Sequence, residues 1–125
     1  MIIITGSATI RPEHRSEALV LGVEHSARSR AEPGCIAHNC HVDAEDPNRI
    51  VFVEEWADTA AVKAHFAVPE SGAFVRRLGA MAVGKPDIQL FEAIELPARL
   101  GQFAGECLSC FATTFIDNNH TLVHP

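Results

Sequence analysis

Apolar residues in this chain follow two rhythms, one of period two and one near 3.6, and the switches between them mark out the elements. Residues 2–10 are β-rich and alternate weakly, which predicts a first strand. Pro12 suits a first helical turn. Beyond it, Ala18, Leu19, Leu21, Gly22, Val23 and Ala27 leave an apolar helical face broken by Arg15, Glu17, Glu24, Arg28 and Arg30. That pattern predicts a helix of about five turns, stopped by Pro33-Gly34. Residues 35–42 and 50–56 read as two further strands. The polar turn 43–48 between them predicts an antiparallel hairpin.

Asp58 and Thr59 can cap the next helix, which carries Ala60, Ala61, Val62, Ala64, His65 and Phe66. Pro69 breaks it, and Ser71-Gly72 restart a helix through Phe74, Leu78 and Met81 that ends at Gly84-Lys85-Pro86. Residues 88–96 alternate again as a fourth strand. The order β-α-β-β-α-β predicts an α+β fold, a ferredoxin-like antiparallel sheet with helices on one face.

That plan leaves one sheet face bare, yet the third strand is apolar on both: Ile50, Phe52 and Trp56 on one, Val51 and Val53 on the other. A wet face should alternate more cleanly, so a homodimer packed sheet to sheet is expected. Residues 1–96 make the domain, and residues 97–125 are an addition. The stretch from Cys107 to Ile116 is too apolar for a free disordered tail. It is expected to be an arm docked on its own subunit or its partner.

Totals narrow the classes. The chain has 125 residues, enough for one core, and is 47% hydrophobic. Its net charge of −6 comes with no basic cluster beyond Arg76-Arg77, so a nucleic-acid partner is not expected. No apolar run approaches a membrane span. The opening Met1-Ile2-Ile3-Ile4 reads as a strand, not a signal peptide. A cytoplasmic setting with reduced Cys35, Cys40, Cys107 and Cys110 follows as the expectation.

Candidate chemistry concentrates in residues 32–66. Phe52, Glu54 and Trp56, the single tryptophan, alternate onto one strand face. An indole there can stack on a flat phenolic substrate or donate its N–H. His65, near the end of the following helix, could face the sheet and act as a general base. Strict alternation places His38 with Ile36, Cys40 and Val42, and turns Cys35, Asn39 and His41 the other way. The metal-like group Cys35, His38, Cys40 and His41 is thereby split across the sheet, and no metal is expected there. Cys107-x2-Cys110 with His120 and His124 has zinc-ligand residue types. Its interval of nine residues between Cys110 and His120 is shorter than a zinc finger's, so a buried apolar arm is the expected reading. Phosphate loops, nucleophile elbows and dinucleotide fingerprints are missing.

Four short motifs in order, Glu-Pro-Gly-Cys at 32–35, Asp-Pro-Asn-Arg at 46–49, Glu-Glu-Trp at 54–56 and Ala-His at 64–65, resemble the antibiotic biosynthesis monooxygenase family. The resemblance covers about residues 2–96. It implies a dimeric α/β barrel and, in one branch, oxygenation of quinols or hydroxylated aromatics by O2 without a cofactor. Catalytic roles then fall on His65 and Trp56, and substrate contacts on His38, Asn39, Phe52, Glu54 and Phe66. An isomerase-type enzyme and a non-catalytic ligand-binding dimer are the alternatives on the same frame. Two positions depart from the pattern: His38 stands where an aromatic is usual, and Pro69-Glu70-Ser71 replaces Pro-His-Phe. The haem-degrading branch is disfavoured, because no histidine occurs between His65 and His120.

Overall fold

A computed structural model describes residues 1–96, which form a four-stranded antiparallel sheet in the order β2-β3-β1-β4. Along the chain come β1 (Ile2–Thr9), α1 (Arg15–Ser29), β2 (Cys35–Val42) and β3 (Arg49–Trp56). Then follow α2 (Thr59–Ala67), α3 (Pro69–Met81) and β4 (Asp87–Glu92). This is the expected ferredoxin-like order, with the second crossover divided into α2 and α3. The expected arm at 97–125, with its Cys107, Cys110, His120 and His124, lies outside the described residues.

Local chemistry sets the boundaries. Pro12 opens a short 3-10 turn, Pro12–His14, and α1 begins only after it. The Asp58 carboxylate caps α2 by accepting the Ala61 N–H at 2.8 Å. Pro69 does more than end α2. It occupies the first turn of α3, where its missing N–H costs nothing, so that helix starts before Ser71. β4 ends at Glu92, short of the expected Leu96.

One sheet face carries the core. Ile2, Ile4, Ala8, Ile50, Phe52 and Trp56 point inward from β1 and β3. Ala18 and Leu21 of α1, Val62 of α2, and Phe74, Leu78 and Met81 of α3 close over them. The inward stripe of α1 is Ala18, Leu21, Gly22, His25, Ser26 and Ser29. Val23 and Ala27, expected on that face, are exposed. The helix has the predicted period but a rotated phase, with Gly22 where Cys40 of β2 and Phe52 of β3 approach closely. The helices leave β4 uncovered: Ile88, Leu90 and Phe91 are all about half exposed.

A register shift between Cys35 and Ala37 alters the predicted parity of β2. Such a bulge places two residues opposite one and re-aims the side chains beyond it. Cys35 therefore faces Trp56 on the inner side, together with His38 and Cys40, while Ile36 is exposed. The expected grouping of Ile36 with His38, and of Cys35 with Asn39, is corrected accordingly.

The same turn contains Gly34, whose φ of +82° favours glycine. A Cβ built there would lie 2.5 Å from the Ala61 Cβ. Gly34→Ala is expected to cost about 2 kcal/mol or more, combining left-handed backbone strain with overpacking. Urea unfolding measures it, and a loss under about 0.5 kcal/mol would contradict this close approach of turn and helix.

Candidate functional site

Three histidines from three elements meet behind the sheet: His25 on α1, His38 on β2 and His65 on α2. All are buried, His38 completely. One ring nitrogen of each lies within 4.8 Å of one on each of the others. The ring centroids are 4.9 Å apart for His25 and His38, 5.4 Å for His25 and His65, and 5.8 Å for His38 and His65. His25 also stacks on Phe74 at 3.8 Å, and His65 lies 4.7 Å from the Trp56 ring.

Each Nδ1 is engaged by a different partner. His65 Nδ1 donates to Glu32 Oε2 at 2.8 Å. A carboxylate offers no hydrogen in return, so Nδ1 carries one, and in the neutral ring Nε2 keeps its lone pair. Arg28 Nη2, which can only donate, lies 2.9 Å from His25 Nδ1 and makes that nitrogen an acceptor. His38 Nδ1 meets Ser26 Oγ at 3.0 Å. His38 Nε2 is 3.4 Å from Glu54 Oε1, yet it is buried without a hydrogen-bond partner among the described residues. The indole N–H of Trp56 donates to Glu54 Oε2 at 2.8 Å. Arg28 ties the cluster to its surroundings, donating to Glu32 Oε1 at 2.8 Å and to Ser71 Oγ at 3.0 Å.

Burial governs the charges. Desolvation, helped by His38, His65 and Arg28, pushes His25 down to about 3. Desolvation, with His65 and the Arg30 and Arg28 guanidiniums, lowers His38 to about 4. Both are therefore neutral imidazoles at neutral pH. Desolvation also raises Glu54 above the usual carboxylate range, against the opposing effect of the Trp56 hydrogen bond.

Beside the cluster lies a cavity of about 700 Å³ between α3 and the β1–β4 side of the sheet. His25, Glu54 and His65 line it, with Phe52, Phe66 and Phe74 as apolar wall. Its size suits a small-molecule ligand. Of the residues singled out from sequence, Phe52, Glu54, His65 and Phe66 thus share one cavity. Trp56 and His38 stand behind it, wholly buried. Asn39 is not brought in: it pairs with Val53 on the outer face and is exposed. Sequence reasoning missed His25, Ser26 and Glu32. The signal for His25 was its place three and four residues after Gly22 and Leu21, in phase with the buried stripe.

Neutral buried histidines make the fold acid-sensitive. In the unfolded chain they would titrate near about 6.5, whereas in the fold they stay unprotonated down to about 4 and about 3. The unfolded state therefore binds more protons below pH 6.5, and stability falls as pH drops through that window. The slope approaches about 1.4 kcal/mol per pH unit for each histidine. Glu54, raised in the fold, acts in the opposite sense and offsets part of the loss. Urea midpoints measured with chelator present should fall from pH 6.5 to 4.5, and less steeply in His38→Gln. A flat wild-type profile would contradict neutral burial.

The model of the family described as antibiotic biosynthesis monooxygenase matches residues 1–77. The chain is 28% identical over 94 residues to an uncharacterized protein of Synechocystis, covering 75% of this chain and 64% of that one. It thus spans less than two thirds of that relative's length. It is 30% identical over 77 residues to YcnE of Bacillus subtilis, provisionally named a monooxygenase, covering 62% of this chain and 81% of YcnE. A solved antibiotic biosynthesis monooxygenase superposes with a TM-score of 0.70 at 32% identity, over 76% of this chain and all (100%) of that one. A Deinococcus radiodurans structure provisionally given the same description superposes at 0.74 and 26% identity, over 78% and 96%. With a cavity and histidine cluster built on this sheet, and with the match spanning more than half its length, the chain belongs to the antibiotic biosynthesis monooxygenase family.

Proposed function

We propose that the protein is a monooxygenase of a quinol or hydroxylated aromatic, bound in the cavity and oxidised by O2 without flavin, nicotinamide or metal. The observation that carries this reading is the His65–Glu32 pair. Glu32 holds the hydrogen on Nδ1 and leaves a basic Nε2 on a residue that lines an apolar cavity. Family membership supplies the reaction class. In this reading His65 removes the phenolic proton, and the electron-rich phenolate passes one electron to O2. The radical pair combines, forming a C–O bond at a hydrogen-bearing ring carbon ortho or para to the phenolate oxygen. The resulting hydroperoxide regains a proton from His65. Loss of the ring C–H proton then breaks the O–O bond, leaving a quinone carbonyl and hydroxide, which leaves as water. One O2 and the substrate's own electrons balance the reaction.

Phe52, Phe66 and Phe74 provide the apolar wall for the ring, and Glu54 a hydrogen-bonding group beside it. Trp56 holds Glu54 through its N–H and does not reach the substrate. The functional unit is read as a homodimer, supported by apolar outer residues on three strands: Ile3 and Phe91, which pair across β1 and β4, and Val51 and Val53 of β3.

Oxygen uptake by metal-stripped protein with a panel of quinols should exceed autoxidation without added flavin. His65→Gln should lower kcat by about 100-fold or more, the scale of a general base, while unfolding shifts little. Glu32→Gln should lower it less, since Nε2 remains but is no longer oriented. Equal losses of turnover and stability in His65→Gln would overturn the assignment.

Light scattering should give a dimer that Val51→Glu with Val53→Glu converts to a monomer. A wild-type monomer at micromolar concentration would refute sheet-to-sheet pairing.

A further inference from the structure

We propose that His25, His38, His65 and Glu54 form a binding site for a divalent transition-metal ion of the zinc or cobalt type. This inference goes beyond the oxygenase reading, since nothing in that chemistry requires an ion. Two independent observations carry it. The first is convergence: ring nitrogens from α1, β2 and α2 lie within 4.8 Å of one another, with a carboxylate oxygen 3.4 Å from one of them. The second is the orphaned His38 Nε2, on a side chain with 0% exposure, aimed at Glu54 without a hydrogen-bond partner among the described residues. A buried polar atom left unpaired is costly, and an ion would satisfy it.

The surroundings have the character of a metal site's outer layer. Ligating histidines usually engage the other ring nitrogen with a carboxylate, a hydroxyl or a carbonyl. Glu32 does this for His65 and Ser26 for His38. Both then present Nε2, and Glu54 presents Oε1. His25 is the ligand that must rearrange, because Arg28 now holds its Nδ1 as an acceptor. Ligation through Nε2 moves that ring's hydrogen to Nδ1 and turns Arg28 away, leaving Arg28 on Glu32 and Ser71. Tetrahedral zinc with Zn–N about 2.1 Å holds its ligand atoms roughly 3.4 Å apart, so ring nitrogens that lie within 4.8 Å of one another must close by at most roughly 1.4 Å. Three imidazoles and one carboxylate suit zinc, cobalt and ferrous iron better than magnesium or calcium.

The ion and the proposed base compete for one atom. An ion bound to His65 Nε2 occupies the lone pair that would take the phenolic proton, so the ion-bound form is an inhibited form in the oxygenase reading.

The test is titration of the metal-stripped full-length chain with cobalt(II), carrying Cys107→Ser and Cys110→Ser so that the C-terminal thiols cannot bind it. One equivalent should bind with the visible absorption of low-coordinate cobalt and without near-ultraviolet thiolate bands. His38→Gln and His65→Gln should each weaken binding by at least about 10-fold, with circular dichroism showing both folded. Should His38→Gln misfold, His65→Gln and Glu54→Gln decide the question. Absence of stoichiometric binding by the folded parent would overturn the proposal, as would unchanged affinity and spectrum in the folded variants. Both readouts are independent of oxygen uptake, so failure of one proposal is distinguishable from failure of the other.

Discussion

The half-buried carboxylate of Glu32 joins what the chain otherwise keeps apart. One oxygen accepts from Arg28 near the end of α1, and the other from His65 on α2. Arg28 extends the link to Ser71 on α3 and to His25 one turn back. Three helices and the turn into β2 thus meet at one ion pair. A buried pair of this kind adds little to net stability, but breaking it leaves an uncompensated charge. Its value here lies in geometry, since it decides which nitrogen of His65 carries the hydrogen.

Around that pair the protein buries more polarity than its core size would suggest. His25, Ser26, Ser29, His38, Glu54, His65 and Ser71 are all buried. Most find partners: Ser29 donates to the His25 carbonyl at 2.8 Å, and Trp56 donates to Glu54. Within this group, among the described residues, His38 Nε2 stays unmatched, next to a carboxyl held above its usual range. Local/global conflict of this sort usually marks a functional site, because an apolar core would be easier to build. The oxygenase and metal readings use the same cluster differently, one through a free lone pair and the other through its occupation.

The fold was largely legible because its signals are short-range. Asp58 capped a helix, Pro69 ended one, and the polar turn at 43–48 joined a hairpin, each through chemistry contained in a few residues. Strand parity failed at Cys35, where a bulge shifts the count by one and no residue type announces it. The site was half legible. Phe52, Glu54 and Trp56 follow from alternation on β3, and His65 from its place near the end of the helix after Trp56. His25 and Glu32 were hidden because their roles depend on Arg28 and on contacts across elements. Asn39 was expected to orient the substrate beside His38, but alternation already turned it to the opposite face, and β2 keeps it there.

Both readings require that His65 present an unprotonated Nε2. Long-range ¹H–¹⁵N correlation spectra of the metal-free protein at neutral pH observe that directly. The account predicts the Nδ1–H tautomer for His65, with Nε2 at the shift of a bare ring nitrogen, and loss of that preference in Glu32→Gln. A His65 that carries its hydrogen on Nε2, or that is indifferent to Glu32, would contradict it.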